Sequence, residues 1–185
     1  MMNKVLIWVY ISLLKQWYGY KRISTEVIYA QAKHETGDFT SKIFKENKNL
    51  FGMRKPSIRA NSVNGENNGH ATFSSLYNSV RDYFQRQNYF EISNQNNDLF
   101  MASTVNSNYA EDKAYLQKWS NVRRNLRLPI YIKYSHWVVY LLVIYIAFRV
   151  IEYLYEEFKP DERQRFKRVP KVRNLKKPKA INLNF

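Results

Sequence analysis

AQAKHETGDFTSKIFKENKNLFGM, residues 30–53, closes an apolar helix on a single carboxylate and follows it with an aromatic–glycine turn. The helix is expected to start at Ser24 or Thr25, both good N-caps, with Glu26 in its first turn. Val27, Ile28, Tyr29, Ala30 and Ala32 give it an apolar surround, the pattern of a helix buried on several sides. Gly37 supplies the stop, because glycine most readily takes the left-handed conformation past a helix end. Glu35 then lies at the negative end of the helix dipole, close to Phe39. Both features disfavour its charged form and raise its pKa. Lys33 and His34, as sequence neighbours, point to other faces of the helix. A short second helix over 40–46 leads into the turn Asn49-Leu50-Phe51-Gly52.

The apolar run at 5–14 (VLIWVYISLL) follows Lys4 in the manner of a signal sequence. No small-x-small site follows it, and it is short of the roughly 20 residues that a span needs. It reads as a core helix packed before the Glu35 helix, with an uncleaved export or anchoring signal as the alternative. From 56 to 69 the composition turns to Ser, Asn and Gly, and Asn64-Gly65 and Asn68-Gly69 mark tight turns of a small β lobe. Helical spacing returns over 79–90, where Val80, Tyr83 and Phe84 share a face. It returns again over 110–126, with Tyr115, Trp119, Val122 and Leu126 at helical intervals. The chain has 185 residues, 45% of them hydrophobic, enough for one domain and an appendage. There is no cysteine, which removes thiolate metal sites and cysteine nucleophiles, and the three histidines (His34, His70, His136) are too scattered to suggest a zinc site.

Four ordered segments resemble one family. They are AQAKHETG at 30–37, NLFGM at 49–53, ATFSSLYNSVRDYF at 71–84 and NYAEDKAYLQKW at 108–119. Together they resemble the glucosaminidase-type peptidoglycan hydrolases of the lysozyme-like superfamily, the mannosyl-glycoprotein endo-beta-N-acetylglucosaminidase-like domain. The resemblance implies a mainly α (α+β, lysozyme-like) catalytic domain over 1–128 with a small β lobe, and cleavage of the β-1,4 glycan strand of peptidoglycan. It implies no cofactor and no metal. Glu35 matches the family's general acid, the group that protonates the leaving oxygen of a glycoside. Tyr109 matches an active-site tyrosine, and Asn49, Phe51 and Gly52 match the turn that lines the glycan groove. The second carboxylate is less determined. Glu66, in the lobe, is the best placed by position; Asp38 lies past the helix stop. The substrate's own acetamido group is another candidate, and lytic transglycosylases of the superfamily manage with one Glu. Muramidase and lytic transglycosylase activities therefore stand as alternatives.

Pro129 opens a different regime. Residues 130–155 are rich in Ile, Val, Leu, Tyr and Trp and are expected to form a C-terminal transmembrane helix, with Lys133 and Arg149 snorkelling and Trp137 and tyrosines at the interfaces. Charge is unevenly shared. Residues 1–128 carry 18 Lys/Arg against 10 Asp/Glu (+8), 129–158 carry 2 against 3 (−1), and 159–185 carry 10 against 2 (+8). A basic tail over 156–185 beside a span suits anionic lipid or nucleic acid, although no aromatic stacking platform interrupts it. The architecture suggests a membrane-anchored lysin of a phage or mobile element, its catalytic domain facing the wall from a bacterial inner membrane or a viral membrane. The alternative of another class is a non-catalytic structural membrane protein of a virion with a nucleic-acid-binding tail. Oligomeric state is left open by the sequence.

Overall fold

The computed structural model describes residues 2–158, so the expected basic tail lies, past Phe158, outside the described residues. Eight helices and one β-hairpin follow in chain order: α1 (Met2–Trp17), α2 (Thr25–Glu35), α3 (Lys42–Asn47), β1 (Gly65–Asn67), β2 (His70–Thr72), α4 (Leu76–Tyr89), α5 (Asn97–Asn106), α6 (Tyr115–Arg124), α7 (Ile130–Lys133) and α8 (Ser135–Phe158). The architecture is the mainly helical one with a small β lobe that the sequence implied. The chain divides into two units, Met1–Leu141 and Leu142–Phe185.

In the first unit α2 is the central element, because most of its surface is apolar and only Glu26 and the last turn, from Lys33, reach water in part. Val27, Ile28, Ala30 and Ala32 are wholly buried, and Tyr29 nearly so. α1 and α6 both pack on it. The Trp119 indole of α6 donates to the Val27 carbonyl at 2.8 Å, and Trp8 of α1 meets Tyr29 edge-on with ring centroids 5.5 Å apart. The run at 5–14 is thus a core helix: Ile7 and Ile11 are fully buried, and Trp8, Val9 and Leu14 nearly so.

Several local expectations shift. Ser24 precedes α2 without a side-chain cap; its own N–H is taken by Asn97 Oδ1 at 2.8 Å. Past α2 the left-handed stretch involves more than Gly37 (φ +54), since Asp38 (φ +57) and Phe39 (φ +64) share it. Two non-glycine residues hold this costly backbone because Phe39 is pinned between Tyr29 and Phe44, and Asp38 pairs with Lys4 at 3.1 Å. Only Asn68-Gly69 forms the hairpin turn, with φ of +52° and +72° in the pattern that suits tight hairpins. Gly65 instead opens β1, opposite Thr72. α5, capped by the Asn96 side chain on the Leu99 N–H, has no counterpart in the sequence reading. The last helix of the domain starts at Tyr115, five residues later than expected.

The segment between α3 and the hairpin is held by buried polar groups. Asp82 of α4, fully buried, accepts two bonds from the Arg59 guanidinium (2.9 and 2.8 Å) and one from the Ser62 N–H (3.0 Å). Asn47 and Asn67 exchange two further bonds, tying α3 to β1.

The expected span over 130–155 is interrupted. α7 ends at Lys133, Ile132 is buried, and the Lys133 carbonyl accepts from the Trp8 indole at 3.0 Å. Ile132 therefore anchors this turn in the core of the first unit, while Ile130, Tyr131 and Tyr134 stay exposed. The stretch long and apolar enough to cross a membrane is Ser135–Tyr155, 21 residues with a mean hydropathy of 1.9. In the second unit the described part is the remainder of α8, where Ile144, Phe148 and Ile151 are more than half exposed.

Replacing Asp82 with Asn leaves the Arg59 guanidinium buried beside a neutral partner. The expected cost is about 3–5 kcal/mol of stability, read by urea denaturation against the unaltered chain.

Candidate active site

Glu35 is the last residue of α2, where the chain leaves the helix through three successive left-handed residues. The carboxylate accepts a short hydrogen bond at Oε1 from the phenol of Tyr115, the first residue of α6. Tyr115 in turn accepts from Gln31 Nε2 at 3.1 Å, and Gln31 Oε1 accepts from the Tyr83 hydroxyl at 2.6 Å. Gln31 and Tyr83 are fully buried. The chain Tyr83, Gln31, Tyr115, Glu35 runs in one direction, each group donating to the next, so the amide has one orientation that satisfies all four. Burial pushes the Glu35 pKa up, and the Tyr115 bond, which favours the charged form, partly restrains that rise. Burial likewise raises Tyr115, reinforced by the adjacent carboxylate, so it stays a donor.

The turn after α3 closes on this carboxylate. Asn49, 1% exposed, donates from Nδ2 to the Met53 and Ala71 carbonyls (2.8 and 3.0 Å) and accepts at Oδ1 from the Phe51 and Met53 N–H groups (3.2 and 3.1 Å). That leaves its amide nothing with which to meet a sugar; it shapes the turn rather than lining the groove. Phe51 is also 1% exposed, its ring stacked on Tyr83 at 3.9 Å. What it offers is its carbonyl, which accepts from the Tyr109 hydroxyl at 2.6 Å. Gly52 then comes so near Glu35 that a β-carbon there would lie 2.9 Å from Oε2, at a φ of +61° that L side chains rarely adopt.

The structure therefore brings together Glu35, Phe51, Gly52 and Tyr109. Glu66 stands apart from that knot: it is exposed on β1, paired across the hairpin with Ala71. Among the described residues its side chain takes part in no hydrogen bond or ion pair. Phe39 packs with Tyr29 and Phe44, and the side chain found touching Glu35 is that of Tyr115. His34 packs edge-on against the Tyr115 ring at 5.5 Å, and burial lowers its pKa.

A cleft of about 580 Å³ opens beside the turn, lined by Gly52, Met53, His70, Arg86 and Tyr109 among others. His70 Nδ1 lies 3.2 Å from the Gly52 carbonyl. A carbonyl only accepts, so Nδ1 carries the proton, and the hairpin is tied to the turn that meets Glu35. Tyr115, Gln31, His70 and Arg86 were not singled out in the sequence as site residues. Tyr115 was visible as one position of a helix face shared with Trp119 and within the family-like segment 108–119, but without a role, and nothing local to Gln31 or His70 announces a partner far along the chain.

The family model described as mannosyl-glycoprotein endo-beta-N-acetylglucosaminidase matches residues 13–128. Two solved structures are similar in fold. One is a type VI secretion system effector–immunity complex from Pseudomonas protegens (TM-score 0.51, 18% identity, 65% of this chain and 89% of that one). The other is a peptidoglycan hydrolase from Sphingomonas sp. A1 (TM-score 0.51, 20% identity, 64% of this chain and 83% of that one). Among curated proteins none matches the sequence significantly.

Alanine at Gly52 meets two separable costs. The left-handed backbone costs about 1–2 kcal/mol, and the contact with Oε2 displaces the carboxylate from Tyr115. In a double-mutant cycle with Glu35→Ala, the backbone part persists and the contact part vanishes, giving a coupling energy measurable by denaturant unfolding.

Proposed function

Since the chain belongs to the glucosaminidase family, and is thereby a glycoside hydrolase acting on peptidoglycan, we propose that it is an N-acetylglucosaminidase that cuts the β-1,4 strand with Glu35 as general acid. The observation that carries this reading is the contact set of Glu35: a half-buried carboxyl at a helix C-terminus, closed over by Gly52 and held by one donor from Tyr115. A carboxyl kept protonated toward neutral pH is what protonation of a glycosidic oxygen requires. Tyr109 acts through the turn. Its hydroxyl on the Phe51 carbonyl keeps Gly52 against the acid, and its ring forms part of the cleft wall. Glu66 is proposed as a base on the exposed hairpin, or the substrate's acetamido group takes that part.

Activity falls as pH rises through the Glu35 pKa, because the acid must carry its proton. Tyr115→Phe removes a donor that favours the charged form, so the Glu35 pKa rises further and the alkaline limb of the pH–rate profile moves to higher pH. Glu35→Gln lowers the rate by about a thousandfold. Mass spectrometry of fragments released from purified peptidoglycan by the full chain reads the bond. Reducing N-acetylglucosamine ends support the proposal, whereas reducing or anhydro muramic ends move the reading to a muramidase or a lytic transglycosylase. No release at all favours the structural virion protein.

The anchor belongs to the same proposal. Ser135–Tyr155 is taken as a single membrane span, with the catalytic domain facing the wall and the basic segment from 159 onward on the opposite side, against anionic lipid or nucleic acid. This arrangement suits a phage or mobile-element lysin that opens the wall locally. Membrane flotation of the full chain tests it. The unaltered protein should float with vesicles and resist carbonate, and Ile144→Arg with Phe148→Arg should weaken that retention, each arginine costing about 2.5–3.5 kcal/mol near the bilayer centre. Retention unchanged by both arginines would remove the span.

A further inference from the structure

We propose that Arg86 is an oxyanion subsite of the cleft, so that the enzyme prefers glycan strands bearing negatively charged substituents. The inference rests on the glycan-cleaving reading of the same cleft. Arg86 projects from α4 and is only 8% exposed, yet it lines the cleft wall next to Tyr109. Its guanidinium lies against the rings of Phe90 and Tyr109, 4.6 and 4.7 Å from their centroids. Nη1 donates to Gln87 Oε1 at 3.1 Å, and Nη2 donates to the Ser107 carbonyl and hydroxyl at 3.1 and 2.9 Å.

Every one of those acceptors is neutral. The nearest buried carboxylate on the same helix, Asp82, is fully engaged by Arg59 and the Ser62 N–H. Among the described residues Arg86 forms no ion pair. Among the described residues its Nε–H has no protein partner; since no buried side-chain polar atom is left without one, Nε keeps some exposure, and the cleft is the surface that Arg86 lines.

A buried charge with no counter-charge is expensive, and removing it from water strengthens any pairing that a ligand then offers. An N–H of a guanidinium gives a carboxylate or a phosphate one charge-assisted hydrogen bond, about twice as strong as a neutral one. The cleft rim agrees in sign: Arg54 and Lys55 are exposed there without ion pairs, against the single carboxylate of Glu111. Neutral sugar rings supply no such anion. The carboxylates of peptide stems, or the phosphodiesters of wall-linked polymers, do.

The test measures binding of solubilised peptidoglycan strand fragments to the full chain carrying Glu35→Gln, in detergent micelles, by isothermal titration. Three preparations are compared: native fragments, fragments with carboxylates converted to methylamides, and fragments freed of phosphodiesters with hydrofluoric acid. Native fragments should bind about tenfold tighter than one of the treated pair, the scale of a charge-assisted hydrogen bond. Loss on amidation identifies the carboxylate and loss on acid treatment the phosphate. Adding Arg86→Gln, or Arg86→Met if the former fails to fold, should bring the ratio close to one while the folded variant unfolds at a temperature near that of the parent. Equal affinity for all three preparations, or a preference that survives in a folded Arg86 variant, overturns the inference. Turnover is not the readout, so charge-dependent binding without cleavage by the unaltered chain would sink the hydrolase reading alone. Cleavage without charge preference would sink only the subsite.

Discussion

Asn49 saturates its side-chain amide inside five residues of its own chain and one strand of the hairpin, and the site depends on that saturation. Its four hydrogen bonds fix the direction in which Gly52 and the Phe51 carbonyl point. Because the turn is fixed, Gly52 closes on the Glu35 carboxylate, Phe51 stacks on Tyr83, and Tyr109 finds an acceptor for its hydroxyl. A buried amide with a free donor or acceptor is costly. The same requirement that makes Asn49 expensive to misplace therefore holds the acid and the tyrosine in register with each other.

Around that turn the protein separates its charges sharply by environment. Glu35 is left with a single strong donor and little water, which favours the protonated carboxyl. Asp82 sits in the core with three donors, two of them from the Arg59 guanidinium, the conditions of a structural anion. Arg59 and Arg86 both line the cleft but differ in partner: one is neutralised by Asp82, the other held by neutral groups. Like residue types thus divide into scaffold and chemistry according to what surrounds them.

The helical frame supplies the rigidity behind this. α2 is buried along most of its length and ends where its acid is needed, while α6 brings Tyr115 and Trp119 on one face, one to the carboxylate and one to the α2 backbone. Trp8 does the corresponding work from α1, tying Tyr29 and the Lys133 carbonyl into one layer. Its second contact draws residues 130–134 into the domain and places the start of the apolar C-terminal helix at Ser135.

The sequence by itself determined the helical class, the buried helix ending on Glu35, the hairpin turn at Asn68-Gly69 and the core character of the first helix. These are encoded by local periodicity and by residues with special backbone freedom. The ordered segments around Glu35 and Gly52 also pointed to the family. The tertiary structure alone decided that Asn49 builds the turn with its amide, that Phe51 stacks its ring on Tyr83 and gives its carbonyl to Tyr109, and that Tyr115 and Gln31 orient the acid. It also decided that Arg86 is a buried cation without an anion. Hydrogen bonds between residues 80 or more positions apart, as from Tyr115 to Glu35 and from Gln31 to Tyr115, leave no periodic trace in a chain. α5 escaped the sequence reading for a related reason: it is short, mixed in polarity, and held mainly by its Asn96 cap and the burial of Phe100 and Met101 against its neighbours. Periodicity reports which face of an element is dry, whereas partners within the dry interior are chosen by the packing of elements that the sequence does not order in space.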